Sequence, residues 1–493
     1  MKRLFLLFTL ILAIPLLFTG CRKDPEYVKP VDIDDADNVD WNAALGYVFD
    51  SSVIPEIHII VSQNQWDSLL AAYDKNPGTS DFVKCDVEYI KGNKTIQVSK
   101  AGLRLKGNTS RRRPQDENGY FHHCHYGIDF HKYVKDPDHT VNGVRRVDLK
   151  WFKDDPTYVR EIYCYDLFRR YGVWTAINDV YAQVCIKVGL PGLNYLGVYG
   201  MLEHIDKNYL RARKKQFGDE DGNLWKCRWP AHLMDASDSN FGVDDNSSSH
   251  TYELKTNKKE GFSAAKAQLQ DFIRNLNSKT GAAFNEWIAS VMDVELFLKT
   301  YAVNVAVGMW DDYWCNSNNY YLYFNSTDPA KYKVFFIPYD YDNTLGTSGI
   351  IDAGRQDPMN WGNDSYPLMV KILQNPTWAN KYKGYLRELC GNGGLFNWEQ
   401  SHARISAWQD SIQGFVSNDT GEDMEIYDSP AGWGNVPQYR IMSDGSNNYF
   451  KVKAAAVAAM KLFPKSSGNT SKRRLSPVMR PSTRPIGKTM PGL

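Results

Sequence analysis

The chain has 493 residues, enough to bury one large or two moderate cores. Its 58 basic and 57 acidic residues nearly cancel, which excludes a global field that would draw it to nucleic acid or to a membrane surface. The eight cysteines contain no Cys-x2-Cys pair, so the usual structural-zinc spacing is missing and buried thiols are the default.

The N-terminus is a targeting segment. Met1-Lys2-Arg3 is a basic start, residues 4–18 form an apolar run, and Leu17-Phe18-Thr19-Gly20-Cys21 resembles a bacterial lipobox. A run this short that ends at small residues and a cysteine is a signal peptide rather than a spanning helix. Residues 1–20 are therefore expected to be cleaved off, with lipidation at Cys21. Residues 21–50 then act as a lipidated tether; 22–40 are acidic, proline-containing and poor in large apolar side chains. The expected location is a bacterial cell envelope. The protein would be lipid-anchored to the outer or cytoplasmic membrane and face the periplasm or the exterior.

Strand and helix patterns begin after residue 50. Residues 54–62 alternate as a first strand and 63–73 read as an amphipathic helix. Residues 82–90 and 95–105 form a hairpin around Lys91-Gly92-Asn93. The second of these strands runs into Arg104-Leu105-Lys106-Gly107-Asn108-Thr109-Ser110. Arg104 and Lys106 share a strand face, and a glycine turn beside cations and hydroxyls can cradle a phosphate or simply close a basic hairpin. His122-His123-Cys124-His125 has the composition of a metal tract but reads as a polar strand end. Residues 126–130 and 146–151 continue the sheet, Pro156 opens a helix over 158–171, and further strands are expected at 180–188 and 197–203. Residues 235–250 are a polar insert. Helical patterns follow at 262–276, 284–309, 366–374, 380–390, 399–416 and 453–462, and 464–493 has the composition of a disordered tail.

The most informative stretch runs from Trp310 to Gly346. It carries Asp311-Asp312, then Asn318-Asn319, then Asp340-x-Asp342, set around two β-rich runs at 320–324 and 333–342. Asp340 and Asp342 alternate with Tyr339 and Tyr341, which predicts both carboxylates on one strand face. Two carboxylates placed so close must be solvated, hydrogen-bonded or neutralised, and a hard divalent cation such as Mg2+ or Mn2+ suits oxygen ligands.

These strings resemble the catalytic segment of the CotH kinase family, the spore-coat-protein-H-like secreted atypical kinases. The resemblance rests on Trp310-Asp311, Asn319-Tyr320-Tyr321-Leu322-Tyr323 and Pro338-Tyr339-Asp340-Tyr341-Asp342-Asn343-Thr344-Leu345-Gly346, and it extends over about 54–402. It implies Asp311 as the catalytic aspartate, with Asn319 and Asp340 as metal ligands and Asp342 in support. Tyr339 stands where the family usually has Trp, and a lengthened interval lets Asn318 compete with Asn319. Arg104 and Lys106 match the family's Arg-x-Arg-Gly-Asn and are expected to contact phosphate. Arg160 matches an Asp-Pro-Ser-x-x-Arg arginine. Glu203-His204-Ile205-Asp206 is similar to Glu-x-Ile-Asp, and Glu203 would orient a lysine. Lys226 in Leu224-Trp225-Lys226 is the leading candidate for ATP phosphates, with Lys255 behind it.

The fold so implied is α+β, a two-lobed atypical protein-kinase-like domain over 51–450. Its sheet-rich N-lobe would span about 51–256 and its helical C-lobe about 257–450, with the site between them. The implied reaction is transfer of the ATP γ-phosphoryl group to a hydroxyl of an unknown protein acceptor with Mg2+ or Mn2+. Because ATP is scarce outside the cytoplasm, two alternatives stand beside it. One is a catalytically silent scaffold or surface adhesion lipoprotein. The other is a carbohydrate-active enzyme that pairs Asp311 with Asp340.

Overall fold

The computed structural model describes residues 26–27 (backbone), 40–108, 110–136, 139–153, 155–190, 192–243, 250–328, 330–348, 351–416, 426 and 440–460. The expected signal peptide, Cys21 and the 464–493 tail lie outside them.

Two sheets organise the chain. The first holds β1 (Glu26–Tyr27), β2 (Glu56–Val61), β3 (Val83–Lys91), β4 (Lys94–Lys106), β5 (His125–Asp129), β6 (Arg146–Trp151), β7 (Asp179–Val188) and β8 (Asn194–Glu203), in the order β1-β4-β3-β2-β7-β8-β6-β5. Because β5 also pairs with β4, strands β2 to β8 close into a ring of seven. Alternation decides what the ring buries. Ile57, Ile59, Val87, Leu103, Leu105, Tyr126, Val147, Leu149, Val180 and Val184 point to one shared apolar cluster. The alternate residues, Arg104, Lys106, Asp148 and Lys150 among them, face outward.

The second sheet contains β9 (Asn223–Cys227), β10 (Phe241–Val243), β11 (Tyr252–Leu254), β12 (Tyr320–Phe324) and β13 (Val334–Pro338), in the order β10-β11-β9-β12-β13. The expected hairpin is there, with Tyr320 opposite Pro338 and Phe324 opposite Val334. In one respect the fold corrects the expectation. β9 pairs with β12, so this sheet takes strands from both sides of the boundary expected near residue 256, and no clean partition into a sheet lobe and a helical lobe results. The class is nevertheless mixed α+β.

The helices are α1 (Trp41–Val48), α2 (Gln63–Lys75), α3 (Arg160–Arg170), α4 (Lys207–Ala212), α5 (Lys214–Phe217), α6 (Phe262–Ser278), α7 (Gly281–Val291), α8 (Val294–Val307), α9 (Tyr313–Asn316), α10 (Pro367–Leu373), α11 (Pro376–Cys390), α12 (Trp398–Ile412) and α13 (Tyr449–Ala458). The single helix expected over 284–309 is two. Asp293 breaks it by capping α8, its side chain accepting the Leu296 N–H at 3.0 Å. Helix α8 is apolar on nearly all sides and packs in the larger core with the second sheet, which fixes the segment leading to Asp311. No helix of the described residues is long and apolar enough to cross a membrane. Seven buried cysteines are free thiols.

Candidate functional site

The aspartates of the second sheet meet the outer face of the ring, and the contact point is Lys150 on β6. Its Nζ lies 2.6 Å from Asp340 Oδ1, 3.4 Å from Asp342 Oδ2 and 2.6 Å from Glu161 Oε2 on α3. Burial alone would discharge this ammonium, but Asp340, Asp342 and Glu161 outweigh it and hold its pKa well above the usual lysine value. Burial raises Glu161 to about 7, with Lys150 pulling the other way.

The local backbone departs from the expected strand. β13 stops at Pro338, and Asp340 takes a left-handed conformation with φ 65°. Side chains of α3 take up the backbone donors that would otherwise seek a partner strand. Asp340 N–H donates to the Tyr165 hydroxyl at 3.0 Å and Tyr341 N–H donates to Glu161 Oε1 at 3.1 Å. Asp340 and Asp342 therefore converge through a turn and a shared lysine rather than through strand alternation.

Asp311 is half-buried among three amides. Oδ1 accepts from Asn316 Nδ2 at 2.5 Å and Asn318 Nδ2 at 3.2 Å, while Oδ2 accepts from Asn319 Nδ2 at 3.0 Å. Burial pushes its pKa up to about 7, and the Asn316 and Asn318 bonds oppose that rise. Asn318 is also held by the Trp229 N–H, which donates to its Oδ1 at 2.9 Å. Asn319 Oδ1 and Asp340 Oδ2 carry no hydrogen bond among the described residues. Asp312 differs from its neighbour. It is 3% exposed, caps α9 through the Cys315 N–H and accepts the Asn304 amide at 2.8 Å.

A cluster of cations adjoins the carboxylates. Lys106 pairs with Asp148, which also accepts from His204 at 2.9 Å. Burial disfavours the Asp148 charge, but Lys106 and His204 prevail and keep its pKa well below the carboxylate range. Gly127 lies opposite both Arg104 and Asp148, and a Cβ there would meet Lys106 Cδ at 3.0 Å and Arg104 Nε at 3.2 Å. A larger residue would make both cationic side chains give by a few tenths of an ångström. Lys226 lies over the Tyr339 ring, 5.2 Å from its centroid. Burial lowers Lys226 to about 7, and the neighbouring charges of Lys255, Arg228 and Lys106 add to that. Arg104 rests on Phe82 at 5.2 Å.

Two expected residues are engaged elsewhere. Glu203 holds Arg213 through both oxygens, at 2.7 and 2.8 Å, and takes the Asn178 amide at 2.8 Å. It is thus tied into a buried structural pair and orients no phosphate-binding lysine. Arg160 is 1% exposed, pairs with Asp155 and donates to the Thr344 carbonyl at 3.2 Å. It pins the 340–346 turn to α3 and is too deeply buried to reach a phosphate. Sequence reasoning missed Lys150 and Glu161. The available signals were faint: Lys150 shares a strand face with Asp148 in Arg146–Trp151, and Glu161 directly follows Arg160.

The sequence pattern of the CotH kinase protein family matches residues 103–440. Inner spore coat protein H of Bacillus subtilis (strain 168) is 28% identical over 294 residues, 59% of this chain and 74% of that protein. Spore coat protein homolog 1 of Rhizopus delemar is 26% identical over 259 residues, 50% of this chain and 39% of that protein.

Proposed function

The chain belongs to the CotH kinase protein family, and from that premise we propose that it transfers the γ-phosphoryl group of ATP to a hydroxyl of a protein acceptor, with Mg2+ or Mn2+ bound, as an envelope protein lipid-anchored at Cys21. In this reading the seven-strand ring and the part built around α8 and the second sheet act as the two lobes of a kinase-like fold.

One observation carries the proposal: crowded cations stand directly beside converging carboxylates. The charges of Lys255, Arg228 and Lys106 disfavour that of Lys226, and an anionic ligand beside it would relieve that repulsion. The donor set fits the cation, because Asn319 Oδ1 and Asp340 Oδ2 are hard oxygens free of hydrogen bonds among the described residues. Bound there, Mg2+ or Mn2+ would neutralise charge on the phosphoryl group being transferred. Lys226, Lys106 and Arg104 would balance the remaining phosphate charge. Lys150, fixed by Glu161, holds Asp340 and Asp342 in place. Asp311, oriented by Asn316, Asn318 and Asn319, would accept the proton of the acceptor hydroxyl.

A silent scaffold is the second reading, and a specific observation favours it. The Lys150 ammonium already stands between Asp340 and Asp342, the place a cation was expected to fill. Thermal denaturation with ATP and Mn2+, followed by mass spectrometry for transferred phosphate, separates the two. The kinase reading expects stabilisation of about 2.7 kcal/mol at a ligand concentration 100 times Kd, a phosphorylated product, and loss of both in Asp340→Ala. No stabilisation and no product in the wild-type chain would leave the scaffold.

A further inference from the structure

Away from the candidate site, three ring strands bring four polar side chains together. β2 lies between β3 and β7, and His58 stands opposite Glu88 on β3 and opposite Cys185 on β7. Glu56 precedes His58 by two residues and shares its strand face. That face points away from the apolar interior, to which the alternate residues Ile57, Ile59, Val87, Val184 and Ile186 belong.

The distances are short. His58 Nε2 lies 2.6 Å from Glu56 Oε1, and the Cys185 thiol lies 3.5 Å from the same oxygen. Ligand atoms of Glu56, His58 and Cys185 all fall within 4.8 Å of one another, the one such trio of His, Cys, Asp or Glu side chains among the described residues. We propose that Glu56, His58 and Cys185 bind a zinc-like divalent cation, with Glu88 orienting His58. The absence of Cys-x2-Cys spacing is no obstacle, since strand pairing rather than sequence spacing assembles this group.

Three features support the assignment. Zn–N and Zn–O bonds of about 2.0–2.2 Å and a Zn–S bond of about 2.3 Å, arranged tetrahedrally, place ligand atoms about 3.3–3.7 Å apart. The thiol–carboxylate spacing already matches, and His58 and Glu56 need separate by less than about 1 Å. A thiolate, an imidazole and a carboxylate suit zinc, whereas magnesium and calcium favour oxygen ligands alone. Finally, Glu88 Oε2 lies 3.0 Å from His58 Nδ1 and its other oxygen accepts the Gln97 amide at 3.0 Å. A carboxylate so placed assigns the proton to Nδ1 and leaves Nε2 for a metal. A plain His58–glutamate ion pair would explain three of the four residues. It leaves Cys185, 4% exposed, as a thiol donor to the same Glu56 oxygen, which puts all three ligand types on one point. Metal binding would replace the proton shared by His58 and Glu56 together with the thiol proton, releasing both to solvent, and would clamp β2 to β7. The site lies three strands round the ring from β6 and is separate from the cleft.

The test is a Co2+ titration of the chelator-stripped full chain. One equivalent should give thiolate-to-metal charge-transfer absorption and tetrahedral d–d bands, both removed by added Zn2+. Cys185→Ser should lose the charge-transfer band, while Cys390→Ser and the cleft variant Asp340→Ala should keep it. Glu88→Gln should retain the band and bind about 10-fold or more weakly. A wild-type chain without the thiolate band at one equivalent, or a band that survives Cys185→Ser, overturns the proposal. Should Cys185→Ser fail to fold, His58→Ala takes its place, and an unchanged tetrahedral spectrum in that variant is equally decisive against the site.

Discussion

Asp311 and Asp312 are adjacent, yet their surroundings assign them different work. Three asparagine amides hold Asp311 in a half-open position, where burial lifts its pKa to about 7. Asp312 instead accepts the Asn304 amide at 2.8 Å, and Asn304 in turn accepts the Tyr341 hydroxyl at 2.7 Å. Asp311→Asn should keep its ATP affinity and lose about 100-fold or more in transfer rate, with a smaller thermal loss than Asp312→Asn because its half-open amide partners have room to turn. Asp312→Asn would set its NH2 against either the Cys315 N–H or the Asn304 amide, at a cost of about 1–3 kcal/mol, and should lower the melting temperature. Asp312 is thus a fold residue. Equal thermal losses in the two variants would contradict the division. Asp311 could be picked out in the sequence because its neighbours carry a recognisable string. Lys150 could not, because its partner Asp340 lies 190 positions away and no local pattern records the pairing.

Elements were legible where local chemistry decides them. The hairpin of β12 and β13 follows from its aromatic and β-branched residues. The end of β13 at Pro338 and the break before α8 depend on Tyr165, Glu161 and the Asp293 cap, which a periodicity reading does not weigh. Helix α13 shows the same limit, since its alanine-rich pattern conceals Lys453. That side chain is fully buried, its Nζ has no hydrogen bond among the described residues, and it lies 4.4 Å over the Trp361 ring. Burial lowers its pKa from 10.5 to about 7. Between these values the unfolded chain binds the proton and the folded chain does not, so stability rises with pH across the window. Below about pH 7 the charge is present in both states and the full penalty applies. Lys453→Met should accordingly melt higher than wild type at pH 7, by a margin that narrows as pH approaches 10. Parallel melting curves against pH for the two proteins would refute a buried, discharged lysine.

At the scale of the whole molecule, the candidate site exists only where distant segments meet. Arg104, Lys106 and Lys150 come from the ring, Lys226 from β9, and Asp340 and Asp342 from the turn after β13. The mixed second sheet explains why lobe boundaries could not be read from the order of elements, since β9 finds its partner β12 across four intervening α-helices. The proposed anchor has a geometric consequence for this arrangement. β1 pairs with the start of β4, Glu26 opposite Lys94, and Glu26 lies only five positions after Cys21, a reach of at most about 18 Å. A lipid at Cys21 would therefore hold the β3–β4 turn near the bilayer. Arg104 lies ten residues further along β4, about 30 Å from that turn at the usual strand rise. Cys21→Ser should move the protein out of the membrane fraction while leaving its melting temperature unchanged, because the lipid attaches outside the ring. Sedimentation of the variant with membranes at the wild-type level would remove the anchor and, with it, any constraint on how the cleft faces the envelope.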